Sequence, residues 1–132
     1  MIAFDTNLLL RLLLNDHPEQ ARKAEELLQR TVAAAERVLL TDIVLCELEW
    51  VLETVYNFRR IEIVRTLRRL LAADEFAFMD RASVAASIAQ YASGKADFSD
   101  YLIGETASAA GSVTTYTFDR ELARSPGFSR PG

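Results

Sequence analysis

The first seven residues constrain the possible folds most strongly. The run Met1-Ile2-Ala3-Phe4-Asp5-Thr6-Asn7 is a short apolar segment that ends in an acid and two polar turn formers. Such a run is typical of a buried strand, with Asp5 at its carboxyl end. Open parallel sheets bind their ligands at that edge. A ligand site is therefore predicted there if other acids return to the same edge.

Composition limits the classes of protein. A chain of 132 residues, half of them apolar, is long enough for a single domain, 1–132, with a sizeable core. The only cysteine, Cys46, has no partner for a disulfide or a zinc cluster and is expected to pack as a small hydrophobe. The opening apolar run is too short for a membrane span and follows no basic segment, so we expect a cytoplasmic protein with no membrane contact. A net charge of −4 argues against binding to nucleic acid through a broad basic field, but it allows a nucleic-acid substrate.

Apolar periodicity predicts that strands alternate with helices. Strands are expected at the start and at residues 37–41, 76–79 and 113–118, and helices at about 8–14, 18–35, 60–73 and after Asp42, Asp80 and Asp97. This order indicates an α/β fold, a three-layer α/β/α sandwich with a mainly parallel sheet of about four to five strands. Residues after about Leu122 contain two prolines and two glycines and are expected to form a loose tail.

Local signals predict where several helices begin and what they bury. Asp16 with Glu19 resembles a capping box, Thr41 or Asp42 can cap the third helix, and Asp80 can cap the fifth. The third helix is expected to bury Leu45, Leu48, Leu52 and Val55, and the fourth to bury Ile61, Val64, Leu67 and Leu71. His17 lies in a turn and is assigned no role.

Four acids far apart in the sequence are predicted to meet at one edge of the sheet. Asp5 and Asp119 end strands, Asp100 lies in the first turn of its helix, and Glu47 lies about a turn and a half into the helix after the second strand. In a parallel sheet, strand carboxyl ends and the amino ends of the following helices share an edge, so these four edge acids converge if the first and last strands are adjacent. Each acid alone also has a structural explanation, as a helix cap, a dipole partner or a turn residue.

A cluster of carboxylates repels itself, so it either holds protons at neutral pH or binds a divalent cation. Oxygen ligands without cysteine or histidine favour Mg²⁺ or Mn²⁺ over zinc. Such an ion can orient a phosphodiester and help deprotonate a water for in-line attack, which favours metal-dependent phosphodiester hydrolysis. The chain offers no Ser/His/Asp set, no glycine-rich phosphate loop and no thiol with a histidine partner.

Four segments resemble the acidic motifs of PIN-domain ribonucleases, in particular those of VapC-like toxins from bacterial VapBC toxin–antitoxin pairs. They are Phe4–Asn7, Cys46–Leu52, Ala96–Ile103 and Thr117–Asp119, in the right order from Met1 to about Leu122. The resemblance implies that Asp5, Glu47, Asp100 and Asp119 are metal-binding and catalytic, with Thr6, Asn7 and Thr117 in support. Asp97 matches a recurrent extra acid and is a further candidate ligand, with Asp100 favoured as the nearer one.

The same resemblance implies single-stranded or structured RNA as substrate, an inhibitory antitoxin encoded beside this gene, and homodimers. A haloacid-dehalogenase-like phosphatase is disfavoured because the position of its general acid holds Asn7, and a receiver domain because no lysine follows Lys95. A catalytically silent binding protein that acts through its partner stays open. Trp50, Tyr56 or Phe58 is expected to contribute to an apolar contact surface, although one tryptophan at helical spacing is usually a core residue.

Overall fold

Three short parallel strands form the centre of the fold. The structure is a computed structural model that describes residues 1–132. Strands β1 (Ile2–Ala3), β2 (Val38–Leu40) and β3 (Phe76–Phe78) pair in that order, with Val38 opposite both Ile2 and Phe76. The predicted parallel arrangement is confirmed, because each connection contains two helices that return the chain to the starting edge.

Six helices surround these strands. They are α1 (Thr6–Leu13), α2 (Pro18–Ala33), α3 (Asp42–Thr54), α4 (Arg60–Ala72), α5 (Arg81–Ser93) and α6 (Phe98–Ala109). Thr41 caps α3 and Asp80 caps α5, as predicted: the Thr41 hydroxyl accepts a hydrogen bond from Val44 N at 3.4 Å, and Asp80 Oδ1 accepts one from Ser83 N at 3.2 Å. No helix of the fold combines the length and the hydrophobicity that a membrane span requires.

The predicted capping box at Asp16 is wrong. His17 occupies the N-cap position of α2, and its side chain makes no capping hydrogen bond. The Asp16 carboxylate is bound instead by Arg11 at 3.3 Å and by the Tyr56 hydroxyl at 2.9 Å. These two partners hold Asp16 over the turn between α1 and α2, and Pro18 starts the helix without a side-chain cap.

The apolar core is continuous and contains most of the predicted stripes. In α3 the stripe Leu45, Leu48 and Leu52 is buried as expected, whereas Val55 is 60% exposed because the helix ends before it. In α4 the buried residues are Ile63, Val64, Leu67 and Leu70. Ile61, predicted to be buried, is 58% exposed. Val64 and Leu67 are buried as predicted and Leu71 is partly buried, so the core-facing side of α4 differs from the predicted one mainly at Ile61.

The last predicted strand is much shorter than expected. Strand β4 covers only Thr115–Tyr116, while Val113 is 98% and Phe118 is 83% exposed. It pairs in parallel with β5 (Phe128–Ser129) in a separate two-stranded sheet rather than with β1. The β-branched and aromatic residues of 113–118 thus predicted a longer strand than the available partner supports.

The predicted loose tail is also wrong. A short 3₁₀ turn, Leu122–Arg124, and strand β5 follow β4, and both Leu122 and Phe128 belong to the buried core. The Phe128 ring packs so closely on Gly104 of α6 that a Cβ atom at that glycine would lie 2.6 Å from the ring. The terminal segment is therefore held by two apolar anchors despite its prolines and glycines.

Two expectations about single side chains have different outcomes. Cys46 is half-buried against the core, and burial raises the pKa of its thiol to about 11, so it stays a neutral, weakly reactive group. Trp50 is 61% exposed, whereas Tyr56 and Phe58 are half-buried against the core. Of the three aromatic residues only Trp50 is exposed enough to form such a contact, and its use by a partner stays a prediction.

Candidate functional site

Asp5 lies two residues after the end of β1 and caps α1. Its Oδ1 atom accepts a hydrogen bond from Leu8 N at 2.9 Å, and the side chain is exposed. The next residue, Thr6, is buried, and its hydroxyl donates to Glu47 Oε1 at 3.0 Å. This hydrogen bond joins the first acidic segment to α3. The structure therefore brings Asp5, Thr6 and Glu47 to one region at the carboxyl edge of β1.

Asp100 and Asp119 form a second group of candidate acids. Asp100, the third residue of α6, accepts a hydrogen bond on Oδ2 from Asp97 N at 3.1 Å. Asp119 Oδ1 accepts from Glu121 N at 2.9 Å and from Leu122 N at 3.1 Å. The pKa of Asp100 is raised, first by burial and then by the negative charges of Asp97 and Asp119. Since these charges act on Asp100, the three acids lie near one another.

Thr117 and Asn7, two of the predicted supporting residues, differ in their contacts. The Thr117 hydroxyl accepts a hydrogen bond from Asp119 N at 3.0 Å, so it fixes the turn that carries this acid. Asn7 is exposed, and its side-chain amide makes no hydrogen bond within the chain. Thr117 therefore positions an edge acid, while Asn7 is free to contact a bound molecule.

A groove between α3 and α6 lies between Glu47 of the first group and Ser99, the neighbour of Asp100. Its volume is about 310 Å³, with Cys46 and Glu47 on the α3 wall and Ser99, which precedes Asp100, on the α6 wall. Asp42 also lines it, and Oδ1 of Asp42 is buried without a hydrogen-bond partner. Burial and the charge of Asp80 raise the pKa of Asp42. Negative charge thus accumulates along this edge of the molecule.

Each edge acid uses only one of its two carboxylate oxygens within the chain. Asp5, Asp100 and Asp119 accept backbone hydrogen bonds on one oxygen, and Glu47 accepts from Thr6 on one oxygen. The second oxygen of each accepts no hydrogen bond from the protein. The structural roles considered from the sequence, caps and turn residues, are therefore present, and they leave four oxygens free for a ligand.

Asp97 lies in a different and tighter group of acids. The oxygens of Glu49, Glu53 and Asp97, which we call the Glu49 group, all lie within 4.8 Å of one another. The edge acids do not form so tight a set. Glu49 is only 3% exposed, and its Oε1 accepts a hydrogen bond from Phe98 N at 3.1 Å. The Glu49 group is compatible with a divalent cation, and equally with a proton shared between carboxylates.

Sequence reasoning missed Glu49, Glu53 and Arg60. Arg60 donates to the carbonyl oxygens of Tyr91 at 2.8 Å and of Ala96 at 2.9 Å, and its guanidinium lies 4.1 Å from the centre of the Tyr91 ring. It thereby fixes the segment that leads into α6. The i, i+4 spacing of Glu49 and Glu53 could have shown that they share a face of α3. No local signal distinguished Arg60 from the other arginines.

Glu49 gives a testable pH dependence. Burial, and then the hydrogen bond and negative charge of Glu53, raise the pKa of Glu49 to about 7 from the usual 4.5, although Phe98 N opposes the shift. Between those pH values the folded protein holds a proton that the unfolded chain has lost, so the free energy of unfolding falls as the pH rises through this range. We expect a loss on the order of 2 kcal/mol, which Glu49→Gln removes.

Urea unfolding of wild type and variants at pH values on either side of this range measures the effect. Glu25→Gln, at an exposed glutamate of α2 with no ion pair, is the matched control and should keep the wild-type pH dependence. If Glu49→Gln and wild-type proteins lost the same stability, Glu49 would not carry the raised pKa.

Comparison with known proteins assigns the family. No curated protein matches the chain. The family model for the PIN domain matches residues 2–127, almost the whole chain, and so includes every candidate acid as well as the terminal segment up to Gly127. PIN domains are commonly metal-dependent nucleases, and the α/β fold with parallel strands agrees with theirs. This chain belongs to the PIN-domain family.

Proposed function

We propose that this protein is an Mg²⁺- or Mn²⁺-dependent ribonuclease that hydrolyses phosphodiester bonds of RNA. The edge acids Asp5, Glu47, Asp100 and Asp119 would be its metal ligands and catalytic residues. The observation that supports this most strongly is that each of them is anchored through one oxygen and keeps the other free, with Glu47 joined through Thr6 to the residue after Asp5 and with Asp100 close to Asp119. A binding module with acids that serve only as caps would not need them to be grouped in this way.

The free carboxylate oxygens of the edge acids are suitable ligands for a hard divalent cation such as Mg²⁺. Every free ligand atom is a carboxylate oxygen, and no histidine or thiolate lies among the edge acids. The raised pKa of Asp100 shows that negative charge is already unfavourable there, which a cation would relieve. When bound, Mg²⁺ or Mn²⁺ polarises a phosphate and lowers the pKa of a water.

The chain's own residues hold the edge acids in place before any ligand binds. Thr6 fixes Glu47, Thr117 fixes the turn of Asp119, and the amino ends of α1 and α6 fix Asp5 and Asp100. Such support reduces the reorganisation needed when an ion and a phosphodiester bind. Asn7, exposed beside Asp5, is available to orient the substrate.

Asp97 is a less suitable metal ligand than Asp100. It lies within 4.8 Å of Glu49 and Glu53, and Glu49 holds a proton up to a pH of about 7. Asp97 also carries the backbone amide that binds Asp100. We therefore propose that Asp97 positions Asp100 and adds negative charge to the site, with Asp100 as the ligand.

The biological role rests on the four segments that resemble VapC-like toxins. We propose that the protein is the toxin of a bacterial type II toxin–antitoxin pair, acting in the cytoplasm as a homodimer and inhibited by a VapB-like antitoxin. Trp50, exposed on α3, is the candidate centre of a protein contact. A small antitoxin-like reading frame directly upstream, whose product co-purifies with this protein and blocks its activity, would support the toxin role.

The metal requirement tests the enzymatic proposal. Purified protein should cleave RNA in Mg²⁺ or Mn²⁺, lose cleavage when a chelator is added and regain it when the metal is restored. Cleavage products are followed on labelled total RNA, with and without the antitoxin candidate. Cleavage that a chelator does not diminish would contradict a metal-dependent mechanism. Absence of cleavage in either metal would favour the alternative, a catalytically silent PIN-like binding protein.

A further inference from the structure

A second groove, between α1 and α2, begins beside the edge acids. Its volume is about 460 Å³, within the range of small-ligand sites, and we call it the α1–α2 groove. Asn7, Leu8 and Arg11 line it from α1, and Lys23, Leu27 and Arg30 line it from α2. Asp5 is the N-cap of α1 and Asn7 lies in the first turn of the same helix, so this end of the groove lies near Asp5.

The side chains that line this groove carry more positive than negative charges. Arg11 is paired with Asp16 at 3.3 Å, and Glu26 on α2 is paired with Arg22 at 2.7 Å. Lys23 and Arg30 are exposed, and neither makes an ion pair or a side-chain hydrogen bond. Two uncompensated cations therefore line the groove of a protein whose net charge is −4.

The two ends of the groove lie at different distances from the start of α1. Arg11 Nε donates to Gln20 Oε1 at 2.9 Å, and this contact marks the end where the short turn joins α1 to α2. Asn7 lies one helical turn before Arg11, about 6 Å along α1. Along α1, the Asn7 end is therefore the nearer one to the N-cap residue Asp5, and the Arg11 end lies farther from it.

We propose that the α1–α2 groove binds the RNA strand next to the scissile bond, with Lys23 and Arg30 as positioning residues that contact its phosphates. The proposal rests on the ribonuclease function proposed above. Guanidinium and ammonium groups bind phosphate oxygens, and the apolar floor made by Leu8 and Leu27 suits ribose and base faces. An acidic protein segment would satisfy the same charges, but the nearness of Asn7 to Asp5 at the start of α1 favours the strand that must reach the edge acids to be cut.

The test compares two charge-matched double variants. Lys23→Gln/Arg30→Gln removes both groove cations, and Arg65→Gln/Arg68→Gln removes two exposed cations from α4. Binding of labelled single-stranded RNA is measured by fluorescence anisotropy in chelator at several salt concentrations, and cleavage is measured in Mn²⁺. Thermal unfolding of both variants should match wild type, because all four side chains are exposed.

The groove variant should bind RNA about tenfold more weakly than wild type, since each exposed ion pair contributes modestly. The slope of log affinity against log salt should fall by about 1.4, which corresponds to two lost single-strand phosphate contacts. In cleavage, KM should rise while kcat changes little, because the edge acids are intact. The α4 variant should stay within about twofold of wild type.

Three results would overturn the proposal in distinguishable ways. If wild type neither bound nor cut RNA, the ribonuclease function would fail, and the groove proposal with it. If wild type did both and the two double variants behaved alike, only the groove proposal would fail. If the groove variant kept RNA affinity but lost the binding of polyglutamate that wild type showed, the groove would be a site for an acidic protein segment.

Discussion

Asp5→Asn protein is expected to cleave RNA about 10² to 10³ times more slowly than wild type. Asparagine keeps an oxygen that can accept the hydrogen bond from Leu8 N, so the cap of α1 survives. The substitution removes a negative charge and one metal ligand, and the loss of one group that stabilises transition-state charge has an effect of this size. Asp100→Asn should behave similarly, since it also retains an oxygen for Asp97 N.

Asp74→Asn is the matched control for both variants. Asp74 is an exposed aspartate that precedes β3, so it lies at the opposite edge of the sheet from the edge acids. Its cleavage rate should equal that of wild type. Single-turnover cleavage of one labelled RNA by the variants and wild type gives the comparison. Undiminished cleavage by folded Asp5→Asn protein would reject the assignment of Asp5.

Phe128→Ala should destabilise the protein by about 3 kcal/mol or more. Phe128 is 8% exposed, belongs to the core cluster and fills the space over Gly104, so truncation loses buried apolar surface and leaves a cavity. Strand β5 also pairs with β4, which leads to Thr117 and Asp119. We therefore expect weaker metal binding by the folded fraction of this variant, because the turn of Asp119 loses support.

Phe118→Ala is the control that separates burial from residue type. Phe118 precedes Asp119 and is 83% exposed, so its truncation should change the free energy of unfolding by less than about 0.5 kcal/mol. Urea unfolding of both variants measures the difference. Equal stabilities for the two variants would show that the terminal segment is not anchored in the core through Phe128.

The sequence was sufficient to predict the α/β class, the parallel strands and most helix boundaries. These features depend on local signals: apolar periodicity, Thr41 and Asp80 as caps, and Gly94 at the end of α5. The terminal segment was mispredicted for a physical reason. Prolines and glycines indicate turns, but the burial of Leu122 and Phe128 depends on distant partners such as Gly104.

The candidate site was predictable in part, because its position also depends on the order of strands and helices. The prediction for Asp119 required β4 to lie beside β1, whereas β4 pairs with β5 in a separate sheet. Parallel topology places strand ends and the following helix starts at one edge, so a common region for Asp5 and Glu47 could be inferred from order alone. The hydrogen bond from Thr6 to Glu47 and the buried Glu49 group could not. Both depend on the rotation of α3 against its neighbours, which apolar spacing fixes only approximately.

The central claim is that the edge acids, rather than the Glu49 group, bind the dication. Calorimetric titration of Mn²⁺ into Asp5→Asn, Asp119→Asn, Glu49→Gln and Glu53→Gln proteins tests it most directly, since it requires no RNA. We expect the first two variants to lose at least about tenfold in affinity and the last two to stay within about twofold of wild type. Full Mn²⁺ affinity in Asp5→Asn and Asp119→Asn, with a loss in Glu49→Gln and Glu53→Gln, would contradict the claim and move the metal to the Glu49 group.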